Sequence, residues 1–303
     1  MTAGRSTLAI FCLALACQGC SHVAEGDSPR LAGMRQAIRQ IAGQADGRVG
    51  AAVCLIETGQ VFAVAGDERF PMQSVYKLPI AMAVLHDVDA GGLRIDQVVD
   101  VTRGELQPTS LYSPIREKFP GGVRLTVRQL IGYAVSESDS VASDILLRLA
   151  GGPGRVTAFL RSLGLDEVAV ATTERQMDAD PDVQHRNWAT PRGAVSMLAV
   201  FHNGAGLSPA SQAVLRDTLV STVTGPGRIR GLLPPNTVVA HKTGTSGTAA
   251  GRAAATNDIG VVTLPDGRHL AVAVFVADSA ADLPERESII ARIARAAYDG
   301  FTR

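Results

Sequence analysis

The chain has 303 residues, of which 46% are apolar, and its 29 basic and 29 acidic side chains give a formal net charge of zero. This length and apolar content suffice for one large domain or two intertwined domains, and they exclude a disordered chain. The balanced charge gives no support for nucleic acid as a partner, so any anion has to be recognised by local groups.

The first 20 residues have the pattern of a secretory signal peptide. Arg5 precedes an apolar run, Leu8 to Ala16, which is too short to span a membrane. The mature protein is therefore expected in the periplasm, without a membrane span. The stretch from Ala14 to Ala16 resembles a signal peptidase site, while Cys17 and Cys20 leave open a lipid-anchored form, which is the weaker of the two alternatives.

The predicted elements change in type along the chain. In chain order they are a helix over 31–41, strands over 49–56 and 60–65, a helix from Ser74 to about Gly91, helices from Thr126, over 141–150 and 153–163, from Thr190 and from Ser208, strands over 237–241, 257–264 and 269–277, and a helix over 284–298.

Strands at both ends with helices between them predict an α+β fold. Both chain ends are expected to build one antiparallel sheet flanked by helices, with an all-helical lobe inserted into it. The predicted domains are a sheet domain from residues 21–70 and 222–303, and a helical domain from residues 71–221. Local signals support the pattern: Thr126 and Gln129 have the form of a capping box, and Asp266-Gly267 is typical of a hairpin.

Ser74 and Lys77 lie three residues apart where a loop becomes a helix. Residues at this spacing share a helix face, so the amine can reach the hydroxyl and activate it as a nucleophile. The free N–H groups of the first helical turn also stabilise negative charge that develops there. Alone, Ser-x-x-Lys is a weak signal, since most such tetrapeptides are an exposed hydroxyl and a solvated lysine.

Ser138 lies at a predicted turn between two helices, where Asp139 is placed to cap the second helix. On its own, this turn predicts only a helix cap. If the Ser138 hydroxyl faces the same cleft as Ser74, it could pass a proton to a leaving group.

The segment Lys242 to Thr245 follows a predicted strand. Strand periodicity sends Lys242 and Gly244 to one face and Thr243 and Thr245 to the other. Gly244 permits another segment or a ligand to approach closely. On its own, Lys-Thr-Gly is common at the end of a strand and does not indicate a functional site.

Together, in the order Ser-x-x-Lys, Ser-Asp-x and Lys-Thr-Gly, these segments resemble the motif set of serine β-lactamases and penicillin-binding proteins. Ser138 follows Ser74 by 64 residues and Lys242 follows Ser138 by 104, which is similar to class A β-lactamases. The stretch 174–178 and the residue Gln73 resemble the PER-type extended-spectrum branch. The resemblance implies a serine β-lactamase/transpeptidase-like fold, a small-molecule β-lactam substrate, no cofactor, no metal and a monomer.

The resemblance also implies residue roles. The implied catalytic residues are Ser74, Lys77, Ser138 and Glu174, and the implied substrate-binding residues are Ser140, Lys242, Thr243, Gly244, Thr245 and Arg228. Glu174, in a long polar loop, would activate the water that releases the acyl group. Arg228 would steer the substrate carboxylate, with Arg252 as the alternative. The backbone N–H groups of Ser74 and Thr245 would form the oxyanion hole.

Two residues depart from the family pattern. Ser140 replaces the asparagine of the usual Ser-Asp-Asn, and Asp178 stands where many of these enzymes place an asparagine on the hydrolytic water. The PER-type features predict a preference for cephalosporins and a role in antibiotic resistance. A penicillin-binding DD-peptidase, or a non-catalytic β-lactam-binding envelope protein, remains as an alternative.

Overall fold

The structure is a computed structural model that describes residues 29–302. The predicted signal peptide over residues 1–20 and the candidate lipid-attachment residues Cys17 and Cys20 lie outside the described residues. The helices are α1 Pro29–Gly43, α2 Lys77–Asp89, α3 Pro114–Lys118, α4 Val127–Val135, α5 Ser140–Leu149, α6 Pro153–Ser162, α7 Glu174–Ala179, α8 Pro191–His202, α9 Pro209–Val220 and α10 Leu283–Phe301.

The strands are β1 Arg48–Leu55, β2 Gln60–Val64, β3 Phe70–Pro71, β4 Val98–Val101, β5 Val123–Thr126, β6 Val168–Ala169, β7 Trp188–Ala189, β8 Val239–Thr245, β9 Thr248–Ala249, β10 Arg252–Ala253, β11 Thr256–Thr263 and β12 His269–Ala277. Short 3-10 helices cover Gln73–Tyr76, Pro181–Arg186 and Ile229–Leu232.

A five-stranded antiparallel sheet joins the two ends of the chain. Its strand order is β2-β1-β12-β11-β8, so a hairpin from the first third pairs with three strands from the last third. β1 and β12 are buried along almost their whole length, because helices cover both faces of the sheet. The predicted α+β fold with a sheet from both chain ends is confirmed.

Two apolar clusters lie on opposite faces of this sheet. On one face, α1 and α10 pack residues such as Ile38 and Ile293 against the strands. On the other face, Phe275 stacks on Phe70 with ring centroids 5.6 Å apart, and the cluster continues into α2, α4 and α5. Every residue of α2 from Lys77 to Leu85 is buried, so this helix is the centre of the helical region and gives the start of α2 a fixed position.

The region 71–221 is mainly helical but not all-helical. β4 and β5 pair antiparallel within it, and β3, β7 and β6 form a small sheet, so the prediction of an all-helical domain was too strict. The helical patterns missed these strands because each is only two to four residues long. The domain boundaries at residues 70 and 221 remain a prediction.

The predicted local signals appear as folded motifs. Thr126 and Gln129 form the reciprocal capping box of α4, and the side chains of Thr190 and Ser208 cap α8 and α9. The predicted strand over 237–241 lies two residues later, over Val239–Thr245, and therefore includes Lys-Thr-Gly. Among residues 29–302, no helix combines the length and apolar character needed to cross a membrane.

Candidate active site

Ser74 lies in the 3-10 helix that leads directly into α2. Its side chain is partly exposed, and its carbonyl oxygen accepts a hydrogen bond from the backbone N–H of Lys77, so the two residues occupy one turn. Gln73, just before it, has a φ of 48°, a left-handed conformation that is uncommon for a residue with a side chain. The Asn257 amide donates to the carbonyl oxygens of Pro71 and Met72 at 2.8 and 3.1 Å. Strand β11 therefore fixes the segment that presents Ser74.

Lys77 is buried and surrounded by acceptors. Its Nζ is 2.7 Å from the Ser138 carbonyl oxygen, 3.0 Å from Glu174 Oε1 and 3.5 Å from Ser140 Oγ. The Ser138 carbonyl oxygen accepts a hydrogen bond from Nζ, and the Glu174 carboxylate lies at ion-pair distance from it. Lys77 and Glu174 form a shielded ion pair, with their side chains 0% and 12% exposed.

Ser138 is held in a left-handed conformation with a φ of 62°. The turn is stabilised by the next residue, Asp139, whose carboxylate accepts hydrogen bonds at 2.8 Å from Ser113 Oγ and from the backbone N–H groups of Ile115 and Ala142. Asp139 thus caps α5 as predicted, and it also ties the turn to the start of α3. These contacts direct the hydroxyl of Ser138 towards β8.

Lys242 connects β8 to that hydroxyl. Its Nζ is 3.0 Å from Ser138 Oγ and 3.0 Å from the Thr243 carbonyl oxygen. Burial, and next the charge of Lys77, lower the pKa of Lys242 well below its usual value. A lysine whose ammonium form is destabilised in this way is a ready proton donor to a neighbouring hydroxyl.

The two faces of β8 alternate as predicted. A Cβ on Gly244 would lie 2.4 Å from the Met72 carbonyl oxygen and 3.3 Å from the Ser74 nitrogen, so the missing side chain lets β8 approach the Ser74 segment. On the opposite face, Thr243 Oγ1 lies 2.6 Å from Thr224 Oγ1. The backbone of β8 at Gly244 therefore lies close to the Ser74 segment, and the Thr243 hydroxyl lies on the other face of the strand.

Arg228 is buried behind the end of β8. Its Nη2 donates to Thr245 Oγ1 at 2.7 Å and its Nη1 donates to the Gly244 carbonyl oxygen at 3.1 Å, while its Nε pairs with Glu287 Oε1 at 3.0 Å. The guanidinium thus orients the Thr245 hydroxyl. The alternative arginine, Arg252, is exposed on β10 and pairs with Asp46 at 3.4 Å. Of the two arginines, Arg228 is the one that the structure joins to the Lys-Thr-Gly strand.

Glu174 is the first residue of α7. Thr173 and Gln176 form a capping box there, and Asp144 Oδ1 and Oδ2 accept the backbone N–H groups of Glu174 and Arg175 at 2.8 and 3.1 Å. The predicted long loop therefore contains a short, doubly capped helix. Burial raises the pKa of Asp144 to about 6, although the hydrogen bond from the Glu174 backbone acts in the opposite direction.

The two departures from the family pattern differ in their surroundings. Ser140 lies in the site, where its hydroxyl is a long 3.5 Å from Lys77 Nζ. Asp178 is exposed, and its Oδ2 accepts a hydrogen bond from Ser110 Oγ at 2.8 Å. Solvent screens a charge in that position, so we expect Ser140 to matter more than Asp178 for turnover.

Three residues near the site, two of them buried and one half-buried, belong to no motif that could have revealed them. Asn257 anchors the Ser74 segment, and Asp144 anchors Glu174. Tyr76 is fully buried, and burial, followed by the charge of Glu174, raises its pKa well above the usual value, so it stays neutral beside Ser143. Each lies in an ordinary apolar helix or strand pattern, which gives no sign of a polar contact.

A serine and a lysine on one helical turn, a glutamate paired to that lysine and a second Ser–Lys pair on facing elements define a serine enzyme of the acyl-transfer class. The family model for the beta-lactamase enzyme family matches residues 33–301. The chain belongs to this family and is a class A serine β-lactamase.

Individual relatives agree with this assignment. The extended-spectrum β-lactamase PER-1 of Pseudomonas aeruginosa is 50% identical over 232 residues, which are 76% of this chain and 75% of the relative. β-Lactamase VEB-1 of the same organism is 41% identical over 84% of this chain and 85% of its own.

Solved structures of similar proteins show the same fold. A β-lactamase from Chitinophaga pinensis has a TM-score of 0.86 and 46% identity, covering 88% of this chain and 98% of its own. The TLA-3 extended-spectrum β-lactamase has a TM-score of 0.87 and 39% identity, covering 89% and 98%. The predicted family and enzyme class are confirmed, which favours β-lactam hydrolysis over the peptidase and non-catalytic alternatives.

Proposed function

We propose that this β-lactamase hydrolyses its substrates through an acyl-enzyme on Ser74, and that Glu174 drives the release of the acyl group. The observation that carries the proposal is the shielded ion pair between Lys77 and Glu174 on the turn of Ser74. It places a carboxylate beside the lysine of the Ser74 turn and largely shields that carboxylate from bulk solvent.

In the acylation step, Ser74 Oγ forms a bond to the lactam carbonyl carbon and its proton passes to a base. Lys77 donates to the Ser138 carbonyl oxygen and lies 3.0 Å from the Glu174 carboxylate, so its amine is engaged by neighbouring acceptors rather than by the Ser74 hydroxyl. This favours Glu174, acting through a water, as the first base. Lys77 is the alternative base once it has given a proton to Glu174.

The same step stabilises an oxyanion and breaks the C–N bond. The close approach of Gly244 to Ser74 supports an oxyanion hole formed by the backbone N–H groups of Ser74 and Thr245. Ser138, hydrogen-bonded to Lys242, gives its proton to the departing lactam nitrogen and regains one from Lys242. The lowered pKa of Lys242 favours that transfer.

The substrate carboxylate is proposed to bind along β8. Thr243, Thr245 and Lys242 provide hydroxyl and ammonium donors there, and Arg228 orients the Thr245 hydroxyl from behind. Because Arg228 also pairs with Glu287, its charge is partly neutralised, so its proposed contribution is to position Thr245 more than to attract the carboxylate over a distance.

Between the two steps, the proton that Glu174 accepted from Ser74 returns to Lys242, so that Glu174 is again a carboxylate and Lys242 an ammonium. In the second step, Glu174 takes a proton from a water that attacks the ester carbonyl. The ester C–O bond breaks, and the proton held by Glu174 passes to Ser74 Oγ. Ser140 is proposed to contact the substrate side chain in place of the usual asparagine, with a shorter reach.

The substrate preference is proposed to favour oxyimino-cephalosporins, and the biological role to be resistance to these antibiotics. The support is the identity to PER-1 and TLA-3, both named extended-spectrum β-lactamases. Export to the periplasm, a monomeric state and lipid attachment at Cys17 or Cys20 remain predictions from the sequence.

A hydrolysis panel on the purified mature protein tests this proposal. We expect kcat/KM for an oxyimino-cephalosporin to exceed that for a carbapenem and to equal or exceed that for a penicillin. Ser74→Ala should abolish turnover of all three, whereas Ser162→Ala, at an exposed helix end, should not. A clear preference for the penicillin would overturn the cephalosporin assignment, and turnover by Ser74→Ala would overturn the nucleophile.

A further inference from the structure

A second polar cluster lies where the β1–β2 turn, the start of β12 and the C-terminal end of α8 meet. It contains Glu57, His202 and His269, each of which offers one ligand atom, and these atoms all lie within 4.8 Å of one another. None of the three belongs to the site around Ser74. Across residues 29–302, this is the one group of histidine, cysteine and acidic side chains with such spacing.

The three side chains of this cluster already contact one another. His269 Nδ1 lies 2.8 Å from Glu57 Oε1, and the same carboxylate accepts the His269 backbone N–H at 2.9 Å. The two imidazole rings face each other with centroids 4.1 Å apart. Donor atoms around a tetrahedral zinc ion are about 3.3 Å apart, given bonds of about 2.0–2.1 Å, so small side-chain rotations would complete the geometry.

The surroundings offer little opposition to a cation. Arg216 lines the cavity that His202 and His269 also line, but its side chain is 60% exposed and it is paired with Asp217 at 3.4 Å. Its charge is therefore screened by solvent and partly neutralised.

We propose that Glu57, His202 and His269 form a binding site for a divalent transition metal ion of the zinc type. Two imidazoles and one carboxylate are a ligand set that zinc accepts, with water in the fourth position. A cavity of about 120 Å³ reaches both histidines and gives room for that water. Binding replaces the contact between His269 Nδ1 and Glu57 Oε1 with bonds from both side chains to the ion, and it joins three elements that are far apart in the sequence, so the ion stabilises the folded state.

Zinc titration of the mature protein tests the site, using material without a polyhistidine tag and stripped by a chelator. Calorimetry should show one saturable site for zinc, and Mg²⁺ should show none, since it prefers oxygen ligands. At free zinc 100-fold above Kd, the ratio of folded to unfolded protein should rise about 100-fold, which raises Tm by several degrees.

His202→Gln and His269→Gln should each lower zinc affinity at least tenfold, while His86→Gln, a matched histidine on the exposed side of α2, should bind as the wild type does. Glu57→Gln supplies a variant at a more exposed position, in case a histidine variant fails to fold. Absence of saturable binding below millimolar zinc, or unchanged affinity in the Glu57 and His269 variants, would overturn the proposal.

Discussion

Replacing Asp144 with asparagine tests how the protein holds Glu174 in place. Both carboxylate oxygens of Asp144 accept backbone N–H groups, from Glu174 and from Arg175. An asparagine has one acceptor oxygen, so its NH₂ group would face one of these donors. The variant should therefore loosen the start of α7 and displace the Glu174 side chain from Lys77.

The effect on stability depends on pH. The folded protein holds the Asp144 pKa at about 6, above the usual 3.8, so between these values the folded state binds more protons than the unfolded state. Stability from this group is therefore complete below about pH 4 and falls as pH rises to about 6. The difference is about 2 pKa units, or about 3 kcal/mol of cost at pH 7.

Asp144→Asn removes that cost but loses one hydrogen bond from a backbone N–H to a charged carboxylate, which is worth about 1.5–3 kcal/mol. At pH 7 the gain from removing the pKa-linked cost and the loss of the hydrogen bond nearly cancel, so the variant should be about as stable as the wild type. At pH 4.5 the pKa-linked cost is smaller, so the loss dominates and the variant should be less stable. Activity should not be preserved at pH 7 as stability is, because Glu174 is no longer fixed. We expect the rate of deacylation to fall at least tenfold at pH 7.

Urea unfolding at pH 4.5 and 7.5, with single-turnover measurement of deacylation, checks both parts. A difference in unfolding free energy between variant and wild type that does not change with pH would refute the reasoning on the Asp144 pKa. Normal deacylation by a folded Asp144→Asn would refute its role in placing Glu174. Asp100→Asn, at an exposed position on β4, is the matched control.

Two further changes test β8. Gly244→Ala should reduce kcat/KM by at least tenfold, because the added Cβ would lie 2.4 Å from the Met72 carbonyl oxygen. Gly247→Ala is the control, since open space surrounds that position and kcat/KM should not change. Equal activity of the two variants in steady-state assays would contradict the close approach of β8 to the Ser74 segment. Arg228→Lys should raise KM more than it lowers kcat, because lysine cannot make the bonds to Thr245, Gly244 and Glu287 at the same time. Arg292→Lys, at an exposed site, is the control, and an unchanged KM for Arg228→Lys would exclude Arg228 from substrate positioning.

The parts of the fold that depend on neighbouring residues could be predicted from the sequence. The capping box at Thr126 and the hairpin at Asp266 use local chemistry, and both appear where they were expected. The short strands β6 and β7 were missed because they pair through long-range contacts rather than through their own periodicity.

The same distinction applies to the site. Ser74, Lys77 and the Lys-Thr-Gly strand lie in motifs whose spacing is visible in the sequence. Asp144 and Asn257 act on backbone groups 30 and more than 180 residues away in the chain, so no local pattern could reveal them. The cluster of Glu57, His202 and His269 could not be seen in the sequence for the same reason, since these residues have none of the close spacing that marks a zinc motif.

The direct test of the central claim is the mass of the intact protein during reaction of Glu174→Gln with a cephalosporin. We predict that the variant accumulates a covalent adduct on Ser74 while turnover stalls, because Lys77 is the alternative base for acylation, whereas the carboxylate that activates the deacylating water is gone. Glu117→Gln, on the exposed side of α3, should turn over without an adduct. Rapid turnover by Glu174→Gln, with no adduct, would contradict the account.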